Sequence, residues 1–327
     1  MPIVKIDQIE RVVQAALENH GATPWVAKHV ARATARAEAF GNKICGLYYV
    51  ESYCQQLRSG RVRGDVEPVV TRPRGAHVRV DAGFGFAQPA FARGLQTAVA
   101  ATKELGTVSF AVSHAHTCTS LGYFTEQIAA QGLIGIGFTN ASPIVAAPGG
   151  KARVIGTNPI AFSVPAVGDV PGLHFDFSTS AVALGKITMA RAAGTPIPLG
   201  WALDETGAPT TDPEAALKGA LVSAGGHKGW GIGLMVEVLV AGLTGGVNSV
   251  DVKPLKAPEG APHDLGQFYL LIDPGLSPDF APRLKRLAQV VAEDPGARLP
   301  GAQRVAATQV DVTETVWAQM LALSSGR

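Results

Sequence analysis

The chain has 327 residues, a net charge of +2, 46% hydrophobic and 17% charged residues, the profile of a compact globular protein with core enough for two or three lobes. Such a balance excludes a general nucleic-acid or membrane-surface binder, because those partners select a strong basic face. No apolar run reaches the roughly 18 residues of a membrane span, and the N-terminal MPIVKIDQIERVV has no signal architecture. Cys45, Cys54 and Cys118 form neither a metal-ligand spacing nor a disulfide framework, so the expectation is a cytoplasmic enzyme without a metal, membrane or nucleic-acid partner.

Residues 1–75 read as a helical region. Asp7 and Glu10 resemble a capping box, followed by Ile9, Val12, Val13, Ala16 and Leu17 at helical spacing as far as Gly21. Thr23 and Pro24 suit N-cap and N1 of a second helix closed by Gly41. A third helix is expected from about Leu47 to Ser59, stopped by Gly60, and residues 61–75 read as a surface connection. From His77 the period changes to that of a strand, followed by a helix (89–105), a strand (107–112), a polar loop (113–120) and a helix (122–131). Residues 76–300 thus form a mixed α/β domain. Residues 134–162 give a buried strand, a turn-rich platform with Thr139, Asn140 and Ser142, and a second strand leaving Gly156-Thr157-Asn158-Pro159. Residues 201–209 read as a surface turn, Asp212-Pro213 as a helix start, 228–243 as a closely packed apolar helix, 248–262 as a loop, 265–272 as a strand and 282–292 as a helix. Residues 301–327 are assigned to a C-terminal segment returning to the N-terminal lobe.

Standard nucleotide fingerprints are missing. Gly135-Ile136-Gly137 lacks the third glycine, since Asn140 occupies its place, and Lys228 is followed by Gly229 rather than by the Ser or Thr of a P-loop. Several residues nevertheless have the chemistry of a polar site. His114 and His116 lie in a loop after a strand, where active-site side chains often stand, although capping or bonding backbone is the commoner use of such a histidine. Asp176, flanked by Phe175 and Phe177, points opposite to both on a strand, toward a substrate amine or toward backbone donors. Lys228 between glycines is suited to face a ligand, and Tyr48 and Tyr49 fit a core or a pocket equally.

The stretches GLIGIGFTNASPIVAAPGGKARVIGTNPIAFSVP, FDFSTSAVALGKI, PTTDP, GGHKGWGIGLMVEVLVAGLTG and RLPG stand in the order and spacing of the malate/L-lactate dehydrogenase family, which the chain resembles along essentially its whole length. The resemblance implies a non-Rossmann α/β fold that binds NADP or NAD, an intertwined homodimer, and hydride transfer to C=O or C=N beside a carboxylate. It further implies that Asn140, Ser142, Thr157, Asn158, Pro159, Ser178, Thr179, Ser180, His227, Lys228, Gly229, Pro300 and Gly301 hold cofactor or frame its site, with Asp176 at the reacting centre.

The departures from the family pattern are equally specific. Where the family has Ser-His-Gly and, three residues on, an arginine for the substrate carboxylate, this chain has Ile44-Cys45-Gly46 and Tyr49. The proton-transferring histidine aligns with Thr117, with His116 one place earlier. The catalytic candidates are therefore His116, Asp176, Thr117, Cys45 and Tyr49. Reducing a ketone requires a positioned acid, worth about 10² to 10⁴ in rate. A protonated cyclic imine accepts hydride without one. The expectation is reduction of a cyclic imino acid of the Δ1-piperideine- or Δ1-pyrroline-2-carboxylate type. The alternatives are a 2-hydroxy acid dehydrogenase and a cofactor-binding homologue without catalysis. Arg153, Lys186, Arg191 and Arg304 are candidate phosphate partners.

Overall fold

The computed structural model describes residues 1–326. Strand β1 (Ile3–Lys5) leads into helices α1 (Ile6–Asn19), α2 (Pro24–Ala39) and α3 (Val50–Ser59). On α1 a stripe of Ile9, Val13, Ala16 and Leu17 is buried. Helix α2 starts as its sequence dictates, with Thr23 Oγ1 accepting from the Val26 N–H and Pro24 at N1, and α3 stops at Gly60, whose φ of +75° suits glycine. The capping-box expectation is corrected. Lys5 is the N-cap and makes no side-chain cap, and Asp7, inside the first turn, pairs with Arg11. Near the C-terminus, β14 (Gln309–Asp311) pairs antiparallel with β1, and α10 (Glu314–Ser324) packs on α1. Val4, Ile9, Leu17, Val30, Tyr53, Trp317 and Met320 share one core in this lobe.

The central sheet has seven strands in the order β2 (Val69–Arg74), β3 (His77–Asp81), β4 (Thr107–Ala115), β13 (Leu265–Ile272), β5 (Ile134–Thr139), β8 (Ile160–Ser163), β9 (His174–Phe177). Only β3 and β4 run parallel among these neighbours. One face is covered by α4 (Ala87–Leu105) and α5 (Gly122–Ala129), around Phe91, Phe110, Phe124 and Tyr269. The other is covered by α8 (His227–Thr244) through Val236 and Val240 against Phe138 and Phe268. A smaller sheet joins β11 (Pro209–Thr210), β10 (Ala202–Leu203), β12 (Ala220–Leu221), β6 (Val145–Ala146) and β7 (Arg153–Ile155), with α6 (Leu184–Ala193) and α7 (Pro213–Lys218) beside it. Helix α9 (Phe280–Glu293) lies near the β8–β9 edge, with Leu284 packed among Val164, Phe162 and Leu173.

Three local expectations change. The stretch 61–75 is not all surface connection: β2 forms there as the sheet's edge strand, where Pro73 is tolerated and the register slips between Thr71 and Arg74. Arg61 in the same stretch is buried, its guanidinium donating to the carbonyls of Pro254, Leu255, Ala257 and Ala261. Finally, β4 continues to Ala115, so the polar loop is shorter than its composition suggests.

Candidate active site

A cleft of about 1570 Å³ opens where the helical lobe, the β9 edge and the C-terminal segment meet. Its walls include Phe40, Cys45, Tyr48 and Tyr49 from the lobe, Thr157 and Pro159 from the β7–β8 turn, and Asp176, Ser178 and Ser180 from β9 onward. Leu184 to Lys186, Pro300, Gly301 and Arg304 complete it.

Asp176 stands at the end of β9 with His174 on the same strand face. Its Oδ2 accepts from the Gly122 N–H at 2.8 Å and from Ser120 Oγ at 3.2 Å, which leaves Oδ1 for a ligand donor. Gly122 is required here: a Cβ would lie 2.7 Å from His174 Cε1 and 3.1 Å from Asp176 Cβ. The carboxylate meets water along the cleft but is walled in by protein. That crowding raises its pKa above the usual carboxylate value, against the lowering pull of Gly122, Ser120 and Arg304.

Cys45 and Tyr49 reach the same cleft from a short 3₁₀ segment before α3. That segment is anchored by Glu38, whose Oε1 accepts from the Leu47 N–H at 2.8 Å, and Gly46 leaves it room, because a Cβ there would fall 2.1 Å from the same oxygen. Burial, followed by the Asp176 charge, pushes the Cys45 thiol up to about 12. Burial, followed by Tyr48, pushes the Tyr49 phenol to about 12. Both are neutral groups at physiological pH. His174 is also neutral there: burial and then Arg304 hold it down at about 4, and its Nδ1 lies 2.9 Å from Ser163 Oγ.

The other histidines are elsewhere. His116 is buried behind the wall, edge-on to Tyr53 and Phe86 and 5.4 Å from the His263 ring. Among the described residues neither nitrogen of His116 or His263 nor the Tyr53 hydroxyl has a hydrogen-bond partner, and burial drives the His116 pKa well below its ordinary value. Thr117 is buried in the same wall. His114 turns away to Asp264, 3.0 Å from its carboxylate.

The residues expected to hold cofactor divide between cleft surface and supporting frame. Thr157, Pro159, Ser178, Ser180, Pro300 and Gly301 line the cleft. Thr179 is buried, its N–H and Oγ1 both donating to the Thr157 carbonyl. Asn158, fully buried with φ +34°, donates to Gly233 O and Glu237 Oε2 on α8. Asn140 donates to Val247 O, and Ser142 to Lys253 O. His227, Lys228 and Gly229 form the first turn of α8, after Gly225 and Gly226, both at φ +63°. The two side chains are exposed, and Gly229 lies too close to Ala224 O for a Cβ. This turn is tied to the cleft strand, because the Ala224 N–H donates to Thr179 O. Of the candidate phosphate partners, Arg153 caps α7 carbonyls and Arg191 pairs with Glu214, whereas Lys186 and Arg304 reach the cleft. Motif reading had no signal for the Phe40, Glu38 and Glu126 contacts, which arise only when α2, α5 and the C-terminal segment converge.

The volume exceeds the roughly 300–1,000 Å³ of a site for one drug-sized ligand, and its polar wall of Thr157, Ser178 and Ser180 beside backbone turns suits a dinucleotide. Among the described residues no group of His, Cys, Asp and Glu is arranged to hold a metal. The sequence profile of the malate/L-lactate dehydrogenase family matches residues 4–320. The chain is 41% identical over 303 residues to a (2R)-3-sulfolactate dehydrogenase (NADP(+)) of Chromohalobacter salexigens, covering 92% of this chain and 90% of that one. It is 35% identical over 316 residues to a Delta(1)-pyrroline-2-carboxylate/Delta(1)-piperideine-2-carboxylate reductase of Pseudomonas putida, covering 96% and 92%. The crystal structure of delta1-piperideine-2-carboxylate reductase from Pseudomonas syringae superposes with a TM-score of 0.92 at 33% identity, over 99% of this chain and 100% of that one.

Proposed function

The chain belongs to the malate/L-lactate dehydrogenase family, and from that premise we propose that it is an NAD(P)-dependent oxidoreductase that reduces the C=N bond of a cyclic imino acid. The observation that carries the substrate class is the immediate surrounding of Asp176: one carboxylate beside a thiol, a phenol and a histidine that are all neutral near pH 7, with the basic residues of the cleft set farther along its walls. A cationic iminium is stabilised by such a carboxylate, whereas an alkoxide forming from a ketone would be opposed by it.

Bound reduced nicotinamide supplies the hydride. Asp176 Oδ1 holds the iminium N–H, while Gly122 and Ser120 fix the carboxylate's orientation through Oδ2. Cys45 and Tyr49 shape the apolar side of the pocket and exclude water. His116 and Thr117 support the wall from behind. Thr157, Pro159, Ser178, Ser180, Pro300 and Gly301 contact the cofactor, with Asn140, Ser142, Asn158 and Thr179 as their frame, and the α8 N-terminus, with His227, Lys228 and Gly229, offers N–H groups and a cation to phosphate. NADPH is the preferred donor in this reading, as in the sulfolactate relative's name. In the assembled enzyme a second copy covers α8, where Ile232, Met235, Val238 and Leu243 are 42%, 44%, 66% and 52% exposed. Light scattering on the purified protein should give a dimer's mass. The three free cysteines suit a reducing, cytoplasmic setting.

Oxidation of NADPH and NADH is to be followed with a panel of cyclic imines and 2-oxo acids. A kcat/KM for Δ1-piperideine- or Δ1-pyrroline-2-carboxylate well above that for every oxo acid supports the assignment, and preference for an oxo acid rejects it. Cofactor binding without turnover on the whole panel marks a homologue that has lost catalysis.

A further inference from the structure

The substrates of the proposed reaction carry a carboxylate beside the reacting carbon, and the role inferred for Arg304 rests on that reading. The position that supplies an arginine for this carboxylate in the family pattern holds Tyr49, a neutral phenol. A carboxylate drawn into a half-enclosed cleft needs a cation with free donors, and Lys186, Arg298 and Arg304 are the basic residues along its walls. Arg298 donates one Nη1–H to Gln303 at 3.1 Å. Lys186 carries a point charge without a planar fork.

Arg304 is held as a recognition residue would be. The Pro300 carbonyl accepts from the His174 N–H at 3.0 Å, and Gly301, at φ +85° with no room for a Cβ beside His174, turns the chain there. The turn brings the Arg304 guanidinium over the Phe40 ring, 3.9 Å from its centroid, while Nη1 donates to Glu126 Oε1. Arg36 lies over the same ring at 4.4 Å and donates to Glu126 Oε2 at 3.3 Å. One carboxylate thus balances two guanidinium groups, and the neighbouring His174 is neutral, so the corner keeps an excess positive charge. The remaining donors of Arg304, Nε and Nη2, have no acceptor among the described residues.

The placement relative to Asp176 matters most. Glu126, which braces Arg304, follows Gly122, which binds Asp176, by four residues of α5, about 6 Å along the axis. Both charges line the cleft, and Arg304 is near enough to act on the Asp176 carboxylate, the anion suited to an iminium and the cation to the carboxylate next to it. We propose that Arg304, braced by Glu126, Phe40 and Arg36, recognises the substrate carboxylate and replaces the arginine missing at Tyr49. Its free edge can take the carboxylate in a two-point hydrogen bond.

The same guanidinium would also suit the 2′-phosphate of NADPH, so the test separates the two anions. R304Q and R304K are compared with the unaltered protein in three measurements: KM for Δ1-piperideine-2-carboxylate and for Δ1-piperideine, which lacks the carboxylate; Kd of pipecolate and of piperidine in the presence of NADP; and Kd of NADPH and of NADH. For R304Q we expect a roughly 10- to 100-fold rise in KM for the carboxylate imine and in Kd for pipecolate. The carboxylate-free pair and both cofactors should be unaffected, and R304K should recover part of the loss. Undiminished NADPH binding certifies the fold. Equal losses for both imines, or no loss for either, overturn the proposal, as does a selective loss of NADPH over NADH binding, which assigns the arginine to the 2′-phosphate. If the unaltered protein turns over no imine or oxo acid, the functional assignment fails, and the pipecolate–piperidine comparison still decides the arginine's role.

Discussion

Tyr49 and Tyr53 stack 6.1 Å apart on successive turns, and the regions they face differ instructively. Tyr49 looks into a cleft furnished with one carboxylate, a thiol and a stacked arginine. Tyr53 packs on the buried His116, itself 5.4 Å from the His263 ring, and five side-chain polar atoms of the three residues have no partner among the described residues. Of the candidate histidines, His116 lies in this buried layer, beside His263. Burial keeps them neutral, with His263 held at about 3, so they cannot serve as proton stores near pH 7. Imidazole chemistry depends on access as much as on proximity in sequence.

The comparison is broken most directly at Asp176. Asp176→Asn keeps an acceptor for the Gly122 N–H but removes the charge. A fall in kcat/KM for the cyclic imino acid of about 10² to 10³ is expected, with thermal stability unchanged or slightly raised. The sign follows from linkage: the folded pKa lies above the unfolded one, so the charged carboxylate is a liability above the folded pKa, relieved as pH falls through it. A melting temperature lowered by several degrees would show the charge to be structural.

Next in size is Cys45→His, which returns an accessible imidazole to the cleft. A gain of about 10- to 100-fold in 2-oxo acid reduction is expected, read as the ratio of oxo-acid to imine kcat/KM. An unchanged ratio would mean that the missing acid does not set the preference.

The pH profile offers a smaller contrast. Because Asp176 loses its charge at a higher pH than an ordinary carboxylate, kcat/KM for the imino acid should fall on the acid side from above the usual carboxylate range. That limb should vanish in Asp176→Asn, and a limb retained in the variant would point to another group. The smallest effect is expected from His116→Phe, with kcat within about threefold and the profile unmoved, since the ring is enclosed by Tyr53, Phe86 and His263. A drop of about 10² or more would show that the buried imidazole acts on the cleft.

Much of this was legible in the chain. Thr23-Pro24 and Gly60 bound helices because a missing N–H and a left-handed φ act locally, and the strand–helix alternation from His77 marked an α/β sheet. Cys45, Tyr49 and Asp176 were recognisable as a group because their motifs keep family spacing. Asn158 and Thr179 were legible as contact or frame without a choice between the two: only the approach of α8 shows that Asn158 bonds Gly233 and Glu237. His116 read as a loop residue that could bond backbone or act in catalysis, since nothing in its neighbours announces that α3 and residue 263 close over it.

Sequence by itself determined the local grammar of this protein, its family motifs and the side chains absent from positions 45, 49 and 117, because turns, caps and residue identities are properties of short segments. Tertiary structure alone decided which polar groups meet water and which meet each other. Glu126 joins Arg36 to Arg304, the latter contact spanning 178 positions of chain, and no periodicity encodes such a meeting. Burial and charge pairing arise between segments, and they shift the pKa values of Cys45, Tyr49, His174 and Asp176.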